Sequence, residues 1–191
     1  MSLIPTLVVL FVVGGGLIYF GMIYNGLIAM RNDIDKSWAN IDVLLKQRHD
    51  EVPRLVDVCK GYMQYERETL QMLIEARSRY ASAATLDQKV QASGRVSDSL
   101  VKVFAVAENY PALQANTSFL ELQKRISELE SQIADRREFY NDSINLFNTR
   151  LQQMPDVLVA RLLGIRPRFM FVVTAAEKAA PQLVMSDKQL S

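Results

Sequence analysis

Cysteine and histidine are almost missing from this 191-residue chain: Cys59 and His49 each stand alone. A lone cysteine excludes an intramolecular disulfide. Zinc sites built from Cys and His lack their ligands. A di-metal bundle site needs Glu-x-x-His pairs on facing helices, and here Lys46 stands three residues before the single histidine. A surplus of one charge is missing as well. With 22 basic and 21 acidic side chains, the net +1 gives no general attraction to nucleic acid or to an acidic substrate. No phosphate loop is present either, because Gly14-Gly15-Gly16 lies inside an apolar run with no Lys-Ser/Thr behind it. No period of 20 to 50 residues repeats.

The most telling absence is of charge at the beginning. None occurs from Met1 to Met30, and Arg31 is the first. Within that stretch Leu3 to Ile23 is strongly apolar, and roughly 20 such residues span a bilayer's hydrocarbon core as a helix. Gly14, Gly15, Gly16 and Gly21 would weaken a soluble helix but are common in spanning ones, and Tyr19 and Tyr24 suit the headgroup layer. A cleaved signal peptide would carry a basic n-region and a shorter apolar stretch, which this run does not have. The glycines form no GxxxG, so they argue little for dimerisation through the membrane. Residues 1–30 therefore read as a single transmembrane anchor with the lipid bilayer as its partner. Arg31, Lys36, Lys46 and Arg48 follow it, and the positive-inside rule puts the N-terminus outside and the body in the cytoplasm.

Apolar residues make up 49% of the chain, enough for a packed core and against wholesale disorder. From Tyr24 to Arg48 they recur at three- and four-residue spacing (Leu27, Met30, Ile34, Trp38, Ile41, Leu45), a helical stripe that can continue straight out of the membrane. Glu51 to Tyr80 repeats the pattern. Pro53 lies between the two stretches, with Asp50 as an N-cap, and favours a break there, while the stripe keeps its phase across Pro53 and leaves a kinked continuous helix as the alternative. Ala81 to Gln91 is small and polar, a connection. A third helix runs from Ser93 to Glu108, before Asn109-Tyr110-Pro111. A fourth starts near Ser118, where Ser118 and Glu121 fit a capping box. Its stripe is coiled-coil-like: Phe119, Ile126, Ile133, Tyr140, Phe147 and Met154 fall at intervals of seven, with Arg136 interrupting the positions between. Pro155 ends it. A short helix from Asp156 to Leu163 stops at Gly164. Phe169 to Val173 predicts a packed or strand-like segment, and Arg161, Arg166 and Arg168 form a local basic cluster.

The fold class is thus all-α: a transmembrane helix followed by an up-and-down four-helix bundle over residues 31–164, with a tail at 165–191. Cys59 continues an apolar stripe and reads as a buried structural thiol. His49, beside Asp50 near a helix end, reads as a surface or capping residue. No residue pattern supports catalysis, a cofactor or a metal.

A family resemblance runs through ordered matches. Tyr24-Asn25, Arg31-Asn32, Trp38, Ile41-Asp42, Gln47-Arg48, Pro53, Leu55-Val56 and Lys60-Gly61-Tyr62 resemble the LemA family, as do Glu66, Leu70 and Ala76-Arg77. The likeness returns in Tyr110-Pro111, Ala115-Asn116, Phe119 to Gln123, Ile133-Ala134 and Tyr140-Asn141, and covers residues 1–165. Met154 and Ile165 stand where the family would have phenylalanines, and the tail after Gly164 matches poorly. The resemblance implies a bacterial single-pass membrane protein with a four-helix bundle, no reaction, and a role in organising cell or specialised internal membranes. Its matched positions Tyr24, Asn25, Arg31, Asn32, Trp38, Asp42, Gln47, Arg48, Pro53, Asn116, Tyr140 and Asn141 are candidate functional residues. The polar ones read either as inter-helix bonds and caps or as a partner-binding surface.

A non-catalytic scaffold follows, one that associates with itself or with a membrane protein partner and not with nucleic acid. Two alternatives stay open: assembly into a membrane-remodelling lattice or shell, and a ligand sensor or enzyme with a site in the bundle.

Overall fold

The computed structural model describes residues 3–171. It is all-helical, with no strand among the described residues. The elements are α1 (Leu3–Lys60), α2 (Arg67–Ser82), α3 (Leu86–Ala107), α4 (Pro111–Gln114), α5 (Thr117–Arg150) and α6 (Asp156–Leu162).

α1 is one uninterrupted helix of 58 residues, about 87 Å long at 1.5 Å per residue. The boundary between anchor and body at residue 30 leaves no mark on its backbone. Pro53 lies inside this helix, so the expected break at Asp50–Pro53 is overturned. The chain turns later, over 61–66, where the amides of Tyr62 and Met63 both bond the Cys59 carbonyl. The second predicted helix, Glu51 to Tyr80, is thus the end of α1 plus α2.

Other boundaries move too. The predicted connection Ala81 to Gln91 shrinks to 83–85, because Thr85 starts α3 early with a reciprocal capping box: its hydroxyl accepts from the Gln88 amide while Gln88 bonds back to the Thr85 amide. The box expected at Ser118 and Glu121 is absent. Asn116 caps α5 instead, its side-chain oxygen accepting from the Phe119 amide at 3.0 Å. α6 ends as anticipated. Gly164 has φ 64°, its amide bonds Arg161 O at 3.3 Å, and the Ile165 amide bonds Ala160 O at 2.9 Å.

α1 and α5 run antiparallel. Arg150 meets Met30, Tyr140 meets Trp38, Glu130 meets Arg48 and Arg125 meets Glu51. α2 and α3 pack against each other, and α2 also packs on α1. The seven-residue stripe of α5 is buried at Phe119, Ile126, Ile133, Tyr140 and Phe147, while Met154 falls beyond the helix and is exposed. Arg136, the residue that broke the stripe, points outward; its neighbour Arg137 is the buried one.

The core is in two parts. One gathers Val52, Leu55, Cys59, Leu73, Leu100, Leu113 and Phe119 at the far end of the body. The other gathers Ile23, Leu27, Ile34, Ile41, Ile133, Ile144 and Phe147 toward the apolar end of α1. From Leu3 to Met22 the large apolar side chains are exposed apart from the partly buried Phe20, so no layer of the described residues covers this stretch.

Candidate functional site

A layer of charge separates the two apolar clusters. Arg48 lies one turn from Leu45 on one side and one turn from Val52 on the other, and it is 1% exposed. A buried guanidinium is costly unless its donors are met. Here Nη1 donates to Ser97 Oγ at 2.7 Å and to Glu130 Oε1 at 2.6 Å. Nη2 donates to the Ser93 carbonyl at 3.1 Å and to Ser93 Oγ at 2.9 Å. Ser93 and Ser97 stand four apart on α3 and therefore share a face. The Ser97 hydroxyl donates in turn to Glu130 Oε2 at 2.9 Å, so one carboxylate and two hydroxyls meet both Nη groups, while the buried Arg48 Nε has no hydrogen-bond partner among the described residues. Arg137 enters from α5, donating from Nη2 to Ser93 Oγ at 3.0 Å and laying its guanidinium 4.5 Å from the centroid of the Phe171 ring.

Two further polar contacts extend this layer. Lys89 of α3 pairs with Asp42 at 2.9 Å, and Tyr80 of α2 donates to the same carboxylate oxygen at 3.4 Å. Burial first, and then Asp42, push the Tyr80 phenol up to about 12, so it stays a donor. Farther along α1, Glu51 is buried and held by Arg125 at 2.9 Å and Arg54 at 3.3 Å.

His49 stands inside α1, not near its end as anticipated, and is partly buried beside the Tyr80 ring at 5.7 Å. Burial, with Arg77 and Arg48 nearby, lowers its pKa below the ordinary value, against a smaller upward pull from Asp50. The gap bounded by Leu45, Arg48, His49, Val52, Arg77, Tyr80 and Val96 has no room for a water molecule and is no ligand cavity, although Arg48 Nε and His49 Nδ1 are buried there without a hydrogen-bond partner among the described residues. Cys59 is fully buried, as its stripe position predicts, and burial pushes its thiol to about 11. Among the described residues, no three His, Cys, Asp or Glu side chains gather where they could hold a metal ion.

The residues after Gly164 lie along α5 under two side-chain clamps. Asn148 donates to Arg168 O at 2.8 Å and accepts from the Arg168 amide at 2.9 Å. Asn141 does the same with Phe171, at 3.0 and 2.7 Å. The clamps stand seven apart, two turns on one face of α5. They press Phe171 into the core against Trp38, 6.2 Å between ring centroids, beside Tyr140. The segment is extended but forms no strand over 165–171. Phe169 is exposed, and Val172 and Val173 lie outside the described residues.

The structure thus divides the sequence-derived candidates. Trp38, Asp42, Arg48 and Tyr140 join inter-helix contacts; Asn141 holds Phe171 of the segment after α6; Pro53 is partly buried within α1; Asn116 caps α5 and donates to the Tyr62 hydroxyl at 3.1 Å. Tyr24, Asn25, Arg31, Asn32 and Gln47 face outward. Sequence reasoning missed Glu130, Ser93, Ser97, Arg137 and Asn148. Two small hydroxyls at four-residue spacing on the apolar stripe of α3 were the available signal for Ser93 and Ser97, since such positions normally hold aliphatic side chains.

On the opposite side, α1 and α5 leave a shallow groove lined by Met30, Lys36, Asn40, Phe139, Ser143 and Leu146. Phe139, Leu146 and nearby Val43 of α1 are exposed.

The chain is 22% identical over 171 aligned residues to magnetosome protein MamQ 2 of Paramagnetospirillum magneticum, covering 76% of this chain and 63% of that protein. It is 19% identical over 171 aligned residues to magnetosome protein MamQ of Magnetospirillum gryphiswaldense, with the same coverage of 76% and 63%. It is 23% identical over 174 aligned residues to protein LemA of Metamycoplasma hominis, covering 90% of this chain and 80% of that protein. The chain therefore spans under two thirds of the length of the magnetosome proteins it resembles. The LemA family profile matches residues 37–184, starting after Tyr24-Asn25 and Arg31-Asn32 and continuing past Gly164 into the tail, which corrects the expectation that the tail matches poorly. The match covers most of the sequence and contains the whole charged layer, and the chain belongs to the LemA family.

Proposed function

We propose that this protein is a non-catalytic scaffold anchored in a bacterial membrane by the first part of α1, and that it self-associates or binds a membrane protein partner at the membrane surface. One observation carries the proposal: the uncovered apolar length of α1 passes without a break into the helix that packs along α5. Whatever holds the anchor therefore holds the body rigidly at the surface. Such tethering raises the effective concentration of partners in the same membrane.

In this reading the body is an up-and-down four-helix bundle made by the later part of α1 with α2, α3 and α5. The antiparallel pairing of α1 with α5 and the packing of α2 on α3 support that arrangement. Arg31, Lys36 and Lys46 behind the apolar run favour an outside N-terminus and a cytoplasmic body. The outward stripe of Phe139, Leu146 and Val43 is the contact face between copies. The polar layer is filled by its own side chains, which favours a structural role for it over a ligand or substrate site.

Cross-linking in native membranes followed by sizing in mild detergent tests the proposal. The expected result is a discrete oligomer, or a stoichiometric partner, that Phe139→Glu disperses. A strictly monomeric chain with nothing bound to it overturns the reading. Orientation is read separately: protease added to intact spheroplasts leaves a cytoplasmic body uncut.

A further inference from the structure

α6 stands where the body meets the apolar end of α1. Its Val159 and Ala160 are buried in the cluster that contains Ile23 and Leu27, against which Phe20 also packs. Arg150, the last residue of α5, fixes that level. Its Nε bonds Asp156 Oδ1 at 2.9 Å, at the start of α6. Its Nη1 lies 3.6 Å from Met30 Sδ, and its Nη2 lies 3.2 Å from where a Gly26 Cβ would be. An apolar helix of roughly 20 residues starting at Leu3 leaves the hydrocarbon near Ile23. α6 therefore lies within about two turns of the membrane end of α1.

The other face of α6 is uncovered and apolar: Leu158 is 58% exposed and Leu162 73%, four residues apart on one side of the helix. Leu163 and Met154 are exposed beside them. Arg161 is exposed on the same side, three residues after Leu158, and Arg166 is exposed just past the Gly164 turn. Asp156 is the only carboxylate between 154 and 171, and Arg150 already holds it. Arg168 is paired with Asp35 at 3.5 Å. Uncovered leucines beside arginines with no carboxylate partner among the described residues, near the end of a membrane span, form an interfacial surface: apolar groups enter the acyl boundary while guanidiniums reach phosphate.

We infer that α6 and the Gly164 turn form a foot that immerses Leu158, Leu162 and Leu163 in the bilayer interface and binds anionic lipid headgroups through Arg161 and Arg166. This rests on the reading of α1 as a membrane anchor. The foot adds a second attachment to the span and fixes the rotation of the body about α1, so that the Phe139–Leu146 face is presented along the membrane plane.

The test uses the full chain in nanodiscs of phosphatidylcholine, with and without phosphatidylglycerol. Single spin labels are placed at Leu162→Cys, at Phe11→Cys within the span and at Leu120→Cys on the far end of the body; native Cys59 is buried and shielded. The Leu162 label is expected to meet oxygen and avoid a water-soluble nickel complex, as the Phe11 label does. Phosphatidylglycerol should deepen it. Arg161→Gln and Arg166→Gln should each lower the ratio of immersed to exposed populations roughly fivefold in the anionic discs. A Leu162 label as wet as Leu120, with Phe11 in lipid, overturns the foot alone. A wet Phe11 overturns the anchor. Immersion equal in both lipids and unmoved by the arginine substitutions overturns the headgroup site. Dipolar broadening between Leu162 labels means a second copy covers the face, and overturns the proposal.

Discussion

The Nε of Arg77 donates to the backbone carbonyl of His49 at 3.0 Å, and His49 is the residue four before Pro53. A proline inside a helix has no amide for the carbonyl four residues back, and its ring crowds that carbonyl outward. α2 supplies the missing donor from outside the helix, which is how α1 passes through Pro53 unbroken. Arg77→Ala should cost about 1–3 kcal/mol by stranding that acceptor. Pro53→Ala gives the carbonyl its amide back, so Arg77→Ala should cost much less in the Pro53→Ala background. A double-mutant cycle of chemical unfolding in detergent measures the coupling; additive costs would show that Arg77 does not serve the proline gap.

Arg48 depends on Glu130 more than on its serines, because only the carboxylate neutralises its charge. Removing one partner of a buried pair usually costs about 3–5 kcal/mol, whereas replacing both with apolar groups costs far less. Glu130→Ala should lower Tm by roughly 6–20 °C, and Arg48→Met with Glu130→Leu should recover most of the loss. Thermal unfolding followed by circular dichroism reads this directly. Equal losses in the two proteins would mean that the layer stabilises the fold beyond compensating for its own burial.

The long apolar helix at the start of the chain was legible because an uncharged apolar run of that length has few alternatives to a helix, and the buried stripe of α5 because its seven-residue spacing persists from Phe119 to Phe147. Pro53 misled for a reason outside its own neighbourhood: the donor that rescues the helix is Arg77, on another element. The charged layer was half legible. Arg48 was singled out, but its acceptors come from α3 and α5, which only folding brings to it. Likewise Arg136 marked an irregularity in the stripe, but local sequence did not tell that Arg137 is the arginine turned inward.

Acid should weaken the body through His49. Burial and two neighbouring arginines lower its folded pKa below the ordinary value of 6.5, so the folded state favours the neutral ring. The unfolded chain then binds more protons, and the stability held above the unfolded value is lost as pH falls from there toward the depressed folded value. His49→Gln cannot titrate. Its Tm should fall less than that of the wild type between pH 7.5 and 5.5. Parallel Tm profiles would assign the acid sensitivity elsewhere.

Cys59 should be a reporter of unfolding and inert otherwise. Its pKa, raised from 9.0 to about 11, cuts the thiolate fraction near neutrality by about a hundredfold even before access is considered. Ellman's reagent at pH 8 should modify it at least that much faster in guanidinium chloride than in the native protein. Comparable rates would show that the core around Leu55 and Leu73 opens readily.

The two asparagine clamps make the sharpest claim about the tail. An asparagine amide can both donate to and accept from one residue's backbone, which Asn148 does for Arg168 and Asn141 for Phe171. Aspartate keeps the acceptor but loses the donor, and sets a carboxylate against the backbone carbonyl. Asn148→Asp should therefore release the residues around Arg168, although the side chain is nearly unchanged in shape. Losing one such bond is worth about 0.5–1.5 kcal/mol, so the segment should open up to roughly tenfold more often. Trypsin cleavage after Arg168, followed by mass spectrometry under native conditions, should accelerate by that factor in Asn148→Asp and further in the double variant with Asn141→Asp. Leaving Asn148 intact and changing Asn145, which is exposed on the same helix, should change nothing. If all of these variants are cut at the wild-type rate, the contacts of Phe171 with Trp38 and Arg137 hold the tail by themselves.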